Sequence, residues 1–408
     1  MKKLLIIALA IMLVGCQTNA PTTTEPDETE EPVETEEPIQ TEEPVETEET
    51  SEPLGNVQGA LDALNDKSFE KLLSGEDNEN YSALSLYLAL SMLAEGAEGE
   101  TYEEISSLLG VSDKDELKAF NKELLSITKD DEDAKLYLGN SLWAKEGYPI
   151  SKDYAKTLEE HYLAESFERP FNEETSAELS QWISDKTEGL IKPDITLTDE
   201  LVAMLVNTLY FKGEWAVQFD EALTEEQPFY GVKGERSQPF MHVLKNFSVL
   251  NNDQVQGLRL SFTDGKTMTF MMPKDMAVAD YLKDHPVSSF RDQAWERRYV
   301  NLRLPKYQYE NDYQLTDILE ELGLTKVFDP TQSDLSTMGP ELVVSQIKQF
   351  SNIDVAETGV EAAAATIISV ETTSVNEDEP LEMTFDHPFI TLIETEEGLP
   401  LFTVAFLE

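Results

Sequence analysis

Three features of the 408-residue chain predict an α+β domain. Apolar residues recur at helical spacing through the first half, and strand-like runs crowd the second, an order that argues α+β rather than alternating α/β. No Gly/Ser-rich or Pro-rich linker interrupts residues 54–408, so this long body reads as one large domain. Near its end, Glu357 to Ser374 combines four consecutive alanines with a run of β-branched residues and carries one face without a charge.

What precedes the body is not fold. In residues 1–15, Lys2 and Lys3 lead into an apolar run from Leu4 to Val14, too short for a comfortable span and typical of a signal peptide. L-V-G-C closes it and resembles a bacterial lipobox, which makes Cys16 a lipidated first residue; an ordinary signal peptide with a stray cysteine is the alternative. Cys16 is the sole cysteine, so intrachain disulfides and Cys-ligated metal clusters are excluded. The rest of residues 16–53 is Thr, Glu and Pro in near-repeats of E-T-E-E-P, with 14 acids and no Lys or Arg. Such a segment repels itself and buries nothing. It reads as a disordered tether, reaching up to roughly 100 Å at ~3.1 Å per residue, with an acidic binding tail as the lesser reading. The implied address is the outer face of a bacterial cell membrane, held through the lipid.

Net charge is −51; setting aside the tether's 14 acids and the leader's two lysines leaves the body at −39. A balance so acidic excludes a nucleic-acid footprint and charge-driven docking on anionic lipid, and it accounts for solubility.

Along the body, Leu84, Leu88, Ser91 and Met92 share a helical face that ends at G-A-E-G-E-T, where Thr101 caps a helix over Tyr102 to Leu109. Helices follow at Glu116 to Ile127, at Lys152 to Glu165 with Ser151 as cap, and at Glu173 to Ile191. Ala134 to Trp143 alternates as a strand. Leu201 to Phe211 is apolar on both faces, the mark of a central strand covered above and below. T-D-G-K joins Leu258 to Phe262 and Thr267 to Met272 as a hairpin. Val300 to Tyr309 and Leu342 to Val355 read as strands, Leu315 to Leu322 as a helix, and Ile390 to Glu394 with Leu399 to Phe406 as a buried hairpin.

Alanine favours helix, but the run after Ala365 contains Thr366, Ile367, Ile368, Val370, Thr372 and Thr373, which favour strand. Laid out with period two, Val360, Ala362, Ala364, Thr366, Ile368, Val370 and Thr372 share one face, while Glu361 and Glu371 fall on the other. A strand fit for the middle of a sheet is thus attached to an acidic loop, Asn376 to Glu379. The segment can be loop or strand.

This stretch resembles the reactive-loop hinge of serpins, protease inhibitors that insert a cleaved loop into their own sheet. Four further motifs carry the resemblance in order: Ser82 to Leu93, with Ala83 for the usual Pro; N-T-L-Y-F-K-G-E-W at Asn207 to Trp215, followed by Phe219; L-P-K at Leu304 to Lys306 with the run Tyr313 to Phe328; and D-H-P-F at Asp386 to Phe389. The fold it implies has helices packed around three β-sheets and an exposed reactive-centre loop. Its hinge would comprise Glu357, Gly359, Val360, Glu361, Ala362, Ala363, Ala364, Ala365 and Thr366, with Val360 where the family has Thr or Ser. Its sheet-opening control would comprise Ser82, Ser85, Asn207 and Gln349, with Trp215 and the pair Lys306–Glu357 above them. Plain core or surface roles are the alternatives for these residues. Gln349 stands where the family has His, so a hydrogen-bonded network can close but a titratable switch is lost. A Lys–Glu pair at the surface is worth only ~0–1 kcal/mol.

The implied function is a suicide substrate that traps a serine protease, with no catalytic group, metal or cofactor of its own, acting as a monomer. The resemblance, through the family's spacing from the hinge glutamate, implies a cut at Thr373–Ser374, with Thr372–Thr373 and Val375–Asn376 as alternatives. No Lys or Arg follows Thr358, so an elastase-like pocket fits and a trypsin-like one does not. The alternative is a non-inhibitory serpin, cleaved as a substrate or serving as a surface binding protein or adhesin. An enzyme is disfavoured: there is no nucleophile elbow, phosphate loop or metal spacing, and His161, His242, His285 and His387 are scattered, His387 reading as a packed structural residue.

Overall fold

A computed structural model describes residues 52–73, 75–127, 129–130, 134–198, 201–360 and 379–408. The predicted leader, Cys16 and the tether as far as residue 51, and the loop from Glu361 to Asp378 lie outside the described residues, as do the Thr373–Ser374 bond and the hinge residues from Glu361 to Thr366. The last two positions assigned to the tether, Glu52 and Pro53, instead open the first helix.

In chain order the elements are α1 (Glu52–Leu72), β1 (Glu79–Tyr81), α2 (Ala83–Gly96), α3 (Gly99–Leu109), α4 (Lys114–Ser126), β2 (Lys129–Asp130), β3 (Ala134–Lys145), α5 (Lys152–Tyr162), β4 (Glu165–Arg169) and α6 (Glu173–Lys186). The second half is β5 (Ala203–Glu214), β6 (Glu225–Gly231), β7 (Gly234–Asn251), β8 (Val255–Ser261), β9 (Thr267–Pro273), α7 (Val278–Asp284), β10 (Glu296–Pro305), β11 (Tyr307–Gln314), α8 (Thr316–Glu321), β12 (Lys348–Val355), β13 (Gly359–Val360), β14 (Leu381–Thr384), β15 (Phe389–Glu394) and β16 (Pro400–Phe406). None of the described helices is long and apolar enough to cross a membrane.

Helix starts follow side-chain chemistry. Asp113 accepts from the N–H groups of Asp115 and Glu116 at 3.0 and 2.9 Å, Ser151 from Tyr154 at 3.3 Å, and Asn172 from Thr175 at 3.0 Å, each satisfying donors that the first turn leaves without partners. Thr101 is not a cap as expected: α3 begins at Gly99, and the buried Thr101 hydroxyl accepts from Asp334 N–H at 3.0 Å. α1 was not signalled, because its sequence mixes small and polar residues along the helix.

The smaller sheet has the order β11-β12-β13-β5-β3-β2, with β4 on β3; the larger runs β1-β16-β15-β9-β8-β7-β10-β14, with β6 on β7. The 18-residue β7 joins two leaves within the larger network, since its start pairs with β6 and its end with β8. Together with the smaller sheet, those leaves make up the three expected. The expected strand from Val300 to Tyr309 is two strands in different sheets: Pro305 ends β10 in the larger, and β11 starts the smaller at Tyr307. The expected strand from Leu342 begins only at Lys348.

The main core lies between the sheets. α2 is buried on almost every side, packing against both β5 and β16, and every residue of β15 and β16 is buried. A second, separate cluster sits under α6, where Leu179, Trp182 and Ile183 pack with Trp143 of β3 and Met204 and Val206 of β5.

β13 is two residues long, yet it stands between two longer strands. Gly359 lies opposite Glu214 and Val360 opposite Gly213 on β5, while Val360 also faces Val355 on β12. A Cβ on Gly359 would sit 2.1 Å from the Gly213 carbonyl oxygen. Close approach of two backbones, rather than positive φ, therefore requires glycine here. Gly359→Ala is expected to lower stability by about 1–3 kcal/mol, read as a lower urea midpoint at unchanged m-value.

Candidate functional site

The residues entering β13 are clamped from several directions. Ala356 and Gly359 exchange backbone bonds at 2.9 and 3.3 Å, folding the chain into a tight turn. Trp215, the residue after β5, donates its backbone N–H to Thr358 O and its indole N–H to Ala356 O, both at 2.9 Å. Its buried ring stacks on Phe262 at 4.5 Å. Phe219 donates its N–H to Glu357 O at 2.9 Å. Trp215 lies 143 residues before Thr358 and Phe219 138 before Glu357, and the chain leaving β5 brings both to one turn.

Glu357 is not one half of a surface pair, as the sequence suggested. It is 4% exposed, with Lys306 Nζ 2.7 Å from one carboxylate oxygen and Thr224 Oγ1 2.8 Å from the other. Burial pushes the carboxyl up, but the bonds from Lys306, its own N–H and Thr224 outweigh that and hold it below the usual range. A depressed carboxyl stabilises the fold above its unfolded pKa and loses that contribution as pH falls through the folded value, so this clamp loosens only in acid.

Deeper in the smaller sheet, the four polar residues expected to act together do meet. Ser82 caps α2, its Oγ accepting from Ser85 N–H at 3.1 Å. Gln349 on β12 binds Ser82 twice, accepting from its N–H at 3.0 Å and donating to its carbonyl at 2.8 Å. Ser85 Oγ donates to Asn207 Oδ1 on β5. The structure adds a member that the sequence reading missed: Asn207 Nδ2 donates to Asn140 Oδ1 at 2.7 Å, and Asn140 Nδ2 donates to Tyr162 O at 2.7 Å. The signal for Asn140 is its place on a strand face shared with Leu136, Leu138 and Leu142, directly opposite Asn207. The bonds run from β12 through the start of α2 to β5, β3 and the end of α5. One polar clip therefore spans the two strands on either side of β13.

Among the described residues, no ladder joins β5 to β12 directly; β13 alone bridges them. A crevice of about 20 Å³ passes between them, lined by Leu209 and Phe211 of β5, Ile353 of β12 and Val360, with Ile191 on one side and Phe402 on the other. The site is a seam in a sheet, with a strand begun at its top and a hydrogen-bonded clip lower down. No group of three or more His, Cys, Asp or Glu among the described residues is placed to hold a metal.

Comparison with known sequences decides the family. The profile described as "Serpin (serine protease inhibitor)" matches residues 62–407. The chain is a serpin. An uncharacterised serpin-like protein of Thermococcus kodakarensis is 30% identical over 425 residues, covering 98% of this chain and 96% of that one. The native structure of tengpin, a thermophilic serpin, superposes with a TM-score of 0.78 at 25% identity, covering 86% and 93% of the two chains. Human thyroxine-binding globulin, solved with its hormone, has a TM-score of 0.77 at 20% identity over 87% and 99%, a likeness of fold alone. Members of the family are in the main protease inhibitors rather than enzymes.

In this serpin, His387 is exposed, bonded to Asp386 at 2.8 Å and stacked on Tyr230 at 5.1 Å, not packed inside as expected. Gln349 is what makes the clip insensitive to protons, because an amide accepts from and donates to Ser82 at any pH. A buried histidine there would lose its acceptor on protonation, and burial disfavours its charged form. Gln349→His is therefore expected to leave the melting temperature near the parent value at pH 8 and lower it as pH falls below about 6.5, where the unfolded state binds the proton more readily. Scanning calorimetry of parent and variant from pH 8 to 5 reads the difference.

Proposed function

We propose that the chain inhibits serine proteases of elastase-like specificity as a suicide substrate, a monomer cut at Thr373–Ser374 that then draws its own loop into the seam between β5 and β12. The observation that carries this reading is β13. Its register is a strand already begun: from Val360 opposite Gly213, β5 continues ten residues to Ala203, and from Val355, β12 continues seven to Lys348. The charge-free face that includes Val360 would turn to the core, since Val360 itself is buried there. Continued residue by residue, Thr366 arrives level with both Asn207 and Gln349, bringing a hydroxyl to the clip that must part. The alanines before it enter with little bulk.

Ladder bonds along both edges at a net ~1 kcal/mol each give on the order of 10 kcal/mol, comparable to the whole stability of a domain. The uncut form is then kinetically trapped above the cut one. At ~3.3 Å per residue, ten positions carry the loop end roughly 33 Å down the sheet, and an acyl-linked protease with it. The serpin supplies position and stored free energy; the catalytic groups are the protease's.

Incubation with an elastase-like serine protease should give a complex that survives SDS, a fragment whose mass begins at Ser374, and a cut chain that melts well above the intact one. Clean turnover with no complex, or a cut chain that melts no higher, refutes the proposal. Address is the second half of the proposal: Cys16 carries lipid and residues 16–53 hold the domain off an outer bacterial membrane face. Cys16→Ser should then shift the protein from the membrane fraction to the medium; retention on the membrane contradicts the anchor.

A further inference from the structure

A cleft of about 360 Å³ lies beside the hinge, between the start of β7 and the strands β11 and β12. Its lining departs from the rest of the molecule. The chain has 81 acidic residues against 30 Lys and Arg, yet here Arg236 and Lys306 face one acid, Asp354, with the amides of Gln238 and Gln308 beside them. Tyr307 and Phe406, rings 4.6 Å apart, give it an apolar floor. The guanidinium of Arg236 lies 5.3 Å over the Phe406 ring and donates from one nitrogen to Glu408 O. A guanidinium has five N–H donors, so most of its capacity is unspent by that bond. Lys306 directs one of three donors to Glu357. Asp354 is raised by burial and lowered by Lys306, and the neighbouring Glu357 raises it further, so both carboxyls draw on one ammonium.

We propose that this cleft binds a small oxyanion-bearing ligand, a carboxylate or phosphate on a short carbon skeleton, held between Arg236 and Lys306 over the Tyr307–Phe406 floor. The volume is at the small end of ligand pockets, which fixes the size class. Guanidinium and ammonium donors lining one cleft favour an oxyanion. Occupancy is coupled to the hinge, because the bound anion and Glu357 share Lys306 and each weakens the other's hold; by linkage the effect is reciprocal. Only the consequence of that coupling for loop insertion rests on the inhibitory reading above. The binding does not.

Isothermal titration of the intact chain with citrate and, separately, inorganic phosphate, against sodium chloride at matched ionic strength, tests the site without any protease. Saturable binding of either supports it, and the tighter of the two identifies the source of the oxyanion. Arg236→Gln should weaken binding about tenfold, the loss of one charge-assisted bond. Asp354→Asn should tighten it by removing the acid that lines the cleft, and Glu357→Gln should tighten it by releasing Lys306. No heat beyond the chloride control, or equal affinity in Arg236→Gln and Asp354→Asn, overturns the site. Unchanged affinity in a folded Glu357→Gln overturns the coupling. Any of these leaves the inhibitory reading standing, since none measures inhibition.

Discussion

The backbone contact between Gly359 and Gly213 governs the architecture around it. The chain can lie this close to β5 only because Gly359 has no side chain: the Cβ it lacks would overlap the Gly213 carbonyl and crowd the Glu214 Cα. Because of that contact Val360 reaches the interior, Thr358 and Ala356 are within reach of Trp215, and Glu357 turns to meet Lys306 and Thr224. β5 and β12 are thereby held apart at the top by a strand that has scarcely started. A sheet in this condition is neither closed nor filled.

Below that point the load passes to polar groups. In the clip, Gln349, Ser82, Ser85 and Asn140 are buried and Asn207 is half-buried, so its bonds are strengthened by scarce competing water and are costly to leave unmade. Removing Gln349 from this place would strand the Ser82 N–H, while the Ser82 carbonyl would keep the bond from Leu86 N–H. Because Gln349 is an amide rather than an imidazole, its bonds to Ser82 are unchanged through neutral pH.

Much of this was legible in the residues. The alternation from Val360 to Thr372 puts Val360 on the charge-free face, and Val360 is buried; the other positions of that face lie outside the described residues. Motifs at Ser82, Asn207, Trp215 and Lys306 converge on one seam as the resemblance implied. Where reading failed, a tertiary contact had overridden a local pattern. Val300 to Tyr309 looks like one strand because both halves alternate, and only the change of sheet at Pro305–Lys306 divides it. Lys306 and Glu357 looked like surface charges because nothing in a sequence reports that Thr224 and Phe219 close over one of them. Asn140 escaped notice for the same reason: its partner lies 67 residues away, and its meaning comes from the pairing of β3 with β5.

The patch of apolar side chains beneath α6 is cut off from the main interior. Leu190 and Ile191, just beyond that helix, line the crevice between β5 and β12 from outside. The packing under α6 and the packing of the main interior are therefore separate structures within one chain. Among the described residues, apolar contacts at Trp182 and Ile183 share no partners with those of α2 and the β15–β16 hairpin, so the two regions add to stability independently.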